Sequence, residues 1–205
     1  MRYASIPPEV FIDNRRRFTA MLKPQSVAIF NSNDILPTNA DGSMAFRQNN
    51  DLFYLSGIDQ EESILCIFPD CVDEKHREIL FLKETSETIA IWEGEKHSKK
   101  SAYEASGIRT VYWLQDFHRI LKALVCESEN VYLNSNEHLR ASIETETRDM
   151  RFVKWMKDNY PLHNYQRSAP VMHQLRSVKS NMELELLQTA IDITEKGLRR
   201  ILKFI

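Results

Sequence analysis

Two stretches of this chain, Ser63-Ile-Leu-Cys-Ile-Phe68 and Glu78-Ile-Leu-Phe-Leu82, are almost wholly apolar and do not alternate with polar residues. A strand with one face in water alternates, so unbroken runs of this kind mark strands covered on both faces. Helices are what cover them, and helical patterns stand between the strand patterns. Pro7-Pro8 opens a first helix with Val10, Phe11, Phe18, Met21 and Leu22 near one face, and Pro24 lies past its end. Residues 26–30, 52–55, 88–92, 110–114 and 131–134 read as further strands. Helices are expected over 101–106, closed by Gly107, from a cap at Asp116 to Val125, and over 151–156. Pro69-Asp70-Cys71 and Asp73-Glu74-Lys75 fit a hairpin connection. The pattern predicts an α/β fold with a mixed sheet of about five or six strands flanked by helices.

One segment departs from this regularity. In Phe46-Arg-Gln-Asn-Asn-Asp-Leu-Phe-Tyr-Leu-Ser-Gly-Ile58, four polar residues abut a dense apolar run, with Asp51 at the switch and Gly57 at the exit. Amide and guanidinium groups beside a buried strand imply fixed hydrogen-bond partners, because unpaired buried polar groups are costly. Arg47, Gln48, Asn49 and Asp51 are therefore expected either to pin a loop or to form a binding surface at a strand entrance. Arg15-Arg16-Arg17 on the first helix splays to different sides and reads as a solvated face, with a phosphate site as the alternative.

Composition excludes several classes. A net charge of -2 gives no reason to expect nucleic acid or an anionic membrane as partner. No apolar run approaches a membrane span, and the N-terminal residues lack a signal-type apolar region. Cys66, Cys71 and Cys126 lack metal-type spacing and read as reduced thiols packed as small hydrophobes, in a cytoplasmic protein. None of the 6 histidines forms a metal motif, and phosphate-cradling loops and a nucleophile elbow are absent from the sequence. Glu61-Glu62 and the Glu144/Glu146 pair read as solvated acids, and His97 as part of a polar loop. No residue of this chain is assigned to catalysis or to a metal.

The C-terminal segment has another character. Ser180 and Glu183 have capping-box spacing, and Leu184, Leu187, Ala190, Ile191, Thr194, Leu198, Ile201, Leu202 and Ile205 recur at helical intervals. Such a stripe needs a partner surface. The expectation is a front domain over 1–170 and, over 171–205, a junction with the first helix of a second domain, the chain being the front part of a longer protein.

Three segments together resemble the N-terminal domain of aminopeptidase P, the Xaa-Pro aminopeptidases of the creatinase and prolidase superfamily. They are the Phe46 to Ile58 segment, Ala90-Ile-Trp-Glu-Gly94, and His173-Gln-Leu-Arg-Ser-Val-Lys-Ser180 followed by Glu183. Ala90 stands where many relatives carry glutamate. The resemblance implies a two-domain hydrolase that releases the residue before a penultimate proline. Its two divalent metals, typically manganese, sit in a C-terminal catalytic domain that these residues would adjoin. It implies a homo-oligomer in which this domain shapes the cleft, with Trp92 placed either to reach a neighbouring subunit's active site or to pack on the sheet in the core or at an interface. It places Arg47, Gln48, Asn49 and Asp51 in a structural network and no metal ligand in this chain. A non-catalytic peptide- or protein-binding module of the same architecture and a prolidase-type dipeptidase are the alternatives.

Overall fold

The computed structural model describes residues 6–140 and 142–204; Ile205, the last position of the apolar stripe, lies outside them. The elements in order are α1 (Pro8–Thr19), β1 (Ser26–Asn31), α2 (Asn50–Ser56), β2 (Ile64–Ile67), β3 (Glu78–Leu82), α3 (Glu87–Glu93), α4 (Lys99–Ser106), β4 (Thr110–Trp113), α5 (Phe117–Glu127), β5 (Asn130–Leu133), α6 (Arg148–Asn159), β6 (Asn164–Arg167), α7 (Ser168–Ser177) and α8 (Asn181–Ile201). The strands form one mixed, 6-stranded sheet in the order β4-β3-β2-β1-β5-β6. The β2–β3 hairpin is antiparallel with Cys66 opposite Ile79, while β1–β5, β5–β6 and β3–β4 are parallel.

Both faces of the sheet are covered, as the unbroken apolar runs require. Alternate residues of β1 serve opposite cores. Val27 and Ile29 pack with Phe117, Leu121 and Leu124 of α5 and Met156 of α6. Ala28 and Phe30 pack with Phe18 of α1, Leu52 and Leu55 of α2, and Met172 and Leu175 of α7.

Two expected strands are helices. Over 52–55 the chain is inside α2, because Asn49 Oδ1 accepts from the amides of Asp51 and Leu52 and so caps a helix start. The buried residues Leu52, Leu55 and Ser56 follow the i, i+3, i+4 spacing of a helix face. Gly57, expected as a strand exit, is the left-handed C-cap at φ 71°, and a Cβ there would come within 2.3 Å of the Phe11 ring. Over 88–92 the chain is in α3, capped by Ser86 Oγ accepting from Ile89 N, and β4 already occupies the free edge of β3. The edge strand β6 and helix α7 are additions. The β6 residues Asn-Tyr-Gln-Arg lack an apolar signature because that strand is largely solvent-facing.

Local corrections follow the same logic. Asp116 holds the N-cap position of α5 but its side chain makes no capping hydrogen bond; a 3-10 turn precedes the helix, and the carboxylate pairs with Arg119 at 2.8 Å. Cys66 and Cys71 are buried, but Cys126 is exposed on α5. Of the arginine triplet only Arg16 is solvated. Arg15 is 1% exposed, its Nε donating to Glu78 Oε2 at 2.9 Å and its Nη1 to the Leu55 carbonyl at 2.8 Å. This guanidinium ties α1 to β3 and to the C-terminal end of α2.

Removing it leaves a buried carbonyl unpaired and opens a void. Arg15→Ala is expected to cost about 3 kcal/mol of stability, and Arg16→Ala less than about 0.5 kcal/mol, read from urea unfolding midpoints.

Candidate functional site

The polar segment before α2 is a hub. The Gln48 side-chain amide faces three acceptors, the carbonyls of Ile58 at 3.0 Å and Gln60 at 2.7 Å and Ser63 Oγ at 3.2 Å. Its Oε1 accepts from Asn49 N at 2.8 Å. Asn49 caps α2 through Oδ1 and turns Nδ2 toward Asp149 Oδ2 at 3.4 Å. Asp51, in the first turn of α2, pairs with Arg176 of α7 at 2.7 Å. The Arg47 side chain is exposed, and its carbonyl accepts from Asn33 Nδ2 at 2.9 Å.

From this hub the structure reaches two outward features. The first is α3. Ile91 and Trp92 are 77% and 85% exposed, so the tryptophan is no part of the core. The helix and the loop after it are tied to residues 60–62, the span that Gln48 holds. Lys83 pairs with Glu62 at 3.2 Å and with Glu93 at 3.0 Å, Lys96 pairs with Glu61, and His97 N donates to Gln60 Oε1 at 2.7 Å. Glu61 and Lys96 are both largely buried, so Glu61-Glu62 is not a pair of free solvated acids. Burial holds the His97 imidazole below its usual range. Glu62 has a positive φ of 52°, a conformation that side chains other than glycine rarely adopt.

The second feature is the root of α8. Arg17 Nη2 donates to the carbonyl of Leu175 at 2.8 Å and to that of Val178 at 3.3 Å, and its Nη1 lies 3.7 Å from Glu183 Oε2. Glu183 closes the capping box with Ser180. Arg176 stacks over the Tyr54 ring at 5.7 Å. Burial, and then the neighbouring Glu183 carboxylate, push the Tyr54 phenol up to about 12. Beyond this root no described residue of α8 is buried, and Leu187, Ile191, Leu198 and Leu202 form an open apolar stripe. Arg17 and Arg176 were legible only as members of the arginine triplet and of the junction segment; nothing in their spacing shows that they face the same turn.

Asp149 had no sequence signal beyond its place after Thr147, whose hydroxyl caps α6. It sits where α6, β1 and α2 meet, its Oδ1 accepting from Asn31 Nδ2 at 3.0 Å. Burial pushes its carboxyl up to about 7, with Asp51 and Asp34 adding to the rise and the Asn31 hydrogen bond and Arg148 opposing it. No group of three histidine, cysteine or acidic side chains suited to a metal ion occurs among the described residues, and no helix there is long and apolar enough to cross a membrane.

The comparisons with known proteins agree with one another. The family described as Aminopeptidase P, N-terminal domain, matches residues 11–132. The Xaa-Pro aminopeptidase of Escherichia coli is 24% identical over 193 residues, covering 93% of this chain and 43% of that protein. A solved Bacillus anthracis chain provisionally assigned as an aminopeptidase P superposes with a TM-score of 0.82 at 25% identity, covering 94% of this chain and 46% of that one. Zn-substituted Escherichia coli aminopeptidase P in complex with product has the same fold, with a TM-score of 0.73 at 23% identity over 93% of this chain and 43% of that one. This chain spans less than half the length of these relatives.

Burial of the Asp149 carboxyl makes stability depend on pH. The folded state favours the protonated acid, so this group's stabilisation is full below the ordinary carboxylate range and falls as pH rises from about 4 to about 7. Asp149→Asn is expected to remove that part of the slope. Its urea midpoint should gain on that of the unsubstituted protein between pH 4.5 and 7.5, to values set by the buffers.

Proposed function

Because the chain belongs to the aminopeptidase P N-terminal domain family, we propose that it is the non-catalytic front domain of a metal-dependent Xaa-Pro aminopeptidase. Its partners in this reading are its own C-terminal catalytic domain, further copies of itself in a homo-oligomer, and a peptide with a penultimate proline. A cytoplasmic setting belongs to the same reading.

The observation that carries the proposal is the geometry at the turn after α7. That helix buries Met172 and Leu175 on the sheet, whereas α8 buries none of its described residues. The division proposed is a front domain over 1–170 and a junction over 171–205, and the turn at residues 178–180, inside that junction, supports it. There Arg17, Glu183 and Ser180 fix how the helix leaves. A helix held rigidly at its root, with a bare apolar stripe, is suited to receive a second domain. The metal pair, proposed as manganese, belongs to that domain. That no group of three histidine, cysteine or acidic side chains suited to a metal ion occurs among the described residues supports placing the pair there.

What falls to this domain is shape. Arg47, Gln48, Asn49 and Asp51 act as a structural network. Through Gln60 the network steadies the α3 segment, on which Trp92 projects to contact the substrate or a neighbouring subunit. Exposed tryptophans set on a short, pinned helix suit such an edge because they bring large area at low entropic cost.

Two measurements test this. With manganese, the full-length protein is expected to release the first residue of an Xaa-Pro peptide, while residues 1–205 alone release none; metal-dependent turnover by this chain would overturn the non-catalytic assignment. In the full-length protein, Trp92→Ala is expected to raise KM for Xaa-Pro peptides by about threefold to tenfold with little change in kcat. Unchanged KM together with an unchanged oligomer mass would remove Trp92 from this role.

A further inference from the structure

On the face of the sheet covered by α5 and α6, a crevice of about 540 Å³ opens beyond the end of β1. It shares no lining residue with the Trp92 segment or the root of α8. Its volume is that of a small-molecule pocket, and its place just outside the carboxyl ends of β1 and β4 is where open α/β sheets hold ligands.

The walls are rings. Phe152 and Trp155 of α6 lie nearly parallel, 21° apart with centroids at 5.9 Å. His118, exposed on α5, meets Trp155 edge-on at 5.0 Å, and Phe117 backs Phe152 at 6.0 Å. Two arginines from the first turns of α6 complete the lining. They are in different electrostatic states. Arg151 is neutralised, with Nη2 donating to Asp34 Oδ1 at 2.6 Å and Nη1 to the Glu146 carbonyl at 2.9 Å. Arg148 is half-buried and uses one Nη1 hydrogen on a neutral group, Ser32 Oγ at 2.8 Å. No carboxylate among the described residues pairs with its guanidinium at ion-pair distance; Asp34 accepts from its backbone amide, and the charges of Glu62, Asp34 and Asp149 act on the guanidinium from farther away. Burial lowers its pKa.

A partly desolvated cation without a paired anion is expensive, and an anion delivered by a ligand recovers that cost through charge-assisted, two-point hydrogen bonding. One unpaired guanidinium calls for one carboxylate, and stacked rings call for a flat apolar body. We propose that this crevice binds a small aromatic monocarboxylate, its ring against Trp155 and Phe152 and its carboxylate on Arg148.

The probes are indole-3-acetate and its uncharged isostere indole-3-acetamide, titrated calorimetrically into residues 1–205. The carboxylate is expected to bind about tenfold or more tightly than the amide. Arg148→Met should abolish that preference while leaving amide affinity unchanged, and His118→Ala, which alters only an exposed wall, should weaken both probes alike. If Arg148→Met fails to fold, the decision passes to the unsubstituted protein. Added indole-3-acetate should then shift backbone amide resonances in residues 114–118 and 148–155, and its affinity should fall with salt more than that of the amide. Equal affinities for the two probes, no binding at millimolar concentration, or shifts confined to other segments would each overturn the proposal.

Discussion

The side-chain amide of Gln48 is the point through which the outward-facing parts of this domain communicate. One planar group faces the carbonyls of Ile58 and Gln60 and the Ser63 hydroxyl along the turn that leads from α2 into β2, and its own oxygen orders Asn49. Asn49 then starts α2, and α2 places Asp51 against Arg176. In the other direction Gln60, held by Gln48, receives the amide of His97 and so anchors the chain after Trp92. Buried amides of this kind specify one arrangement because each alternative leaves a donor or acceptor without a partner.

Arg15 does for the body of the domain what Gln48 does for its edge. Its guanidinium closes the gap between α1, β3 and the last turn of α2, where the apolar side chains stop and backbone carbonyls begin. Arg17, two residues on and half a helical turn round, does the same for the turn into α8. A single arginine-rich turn of α1 thus serves the core with one residue and the junction with another, while Arg16 between them faces water and pairs with Asp13. The fork geometry of arginine suits both tasks, since each must reach two acceptors at once.

Strand-like composition marks the strands that are buried on both faces, but it also occurs in two helices of this chain. The runs over 63–68 and 78–82 became β2 and β3 because a fully covered strand has no solvent face to betray. Residues 52–55 and 88–92 are equally apolar but are helical. Asn49 and Gly57 flank the first and Ser86 and Gly94 the second, and these capping residues carried the information that the apolar runs obscured. The polar strand β6 was invisible for the opposite reason: an edge strand held by backbone hydrogen bonds needs no apolar pattern. Of the residues at the candidate site, Gln48, Asn49, Asp51 and Trp92 stood out by their segments. Asp149 and the arginines at the α8 root did not, because their partners lie 100 or more residues away.

The order of residues carries the fold class, the hairpin of β2 and β3, the capping box at Ser180 and the resemblance that the family match bears out over 11–132. These are local or periodic properties, set by the order of residues along the chain. Only assembly of the fold settled which arginine is buried, that Trp92 stands in solvent, that burial pushes the Asp149 carboxyl up to about 7, and that Arg148 lines a ring-walled crevice without an ion-paired carboxylate. Each of those depends on desolvation by, and distance to, groups brought in from remote segments, and neither quantity exists until the sheet has assembled.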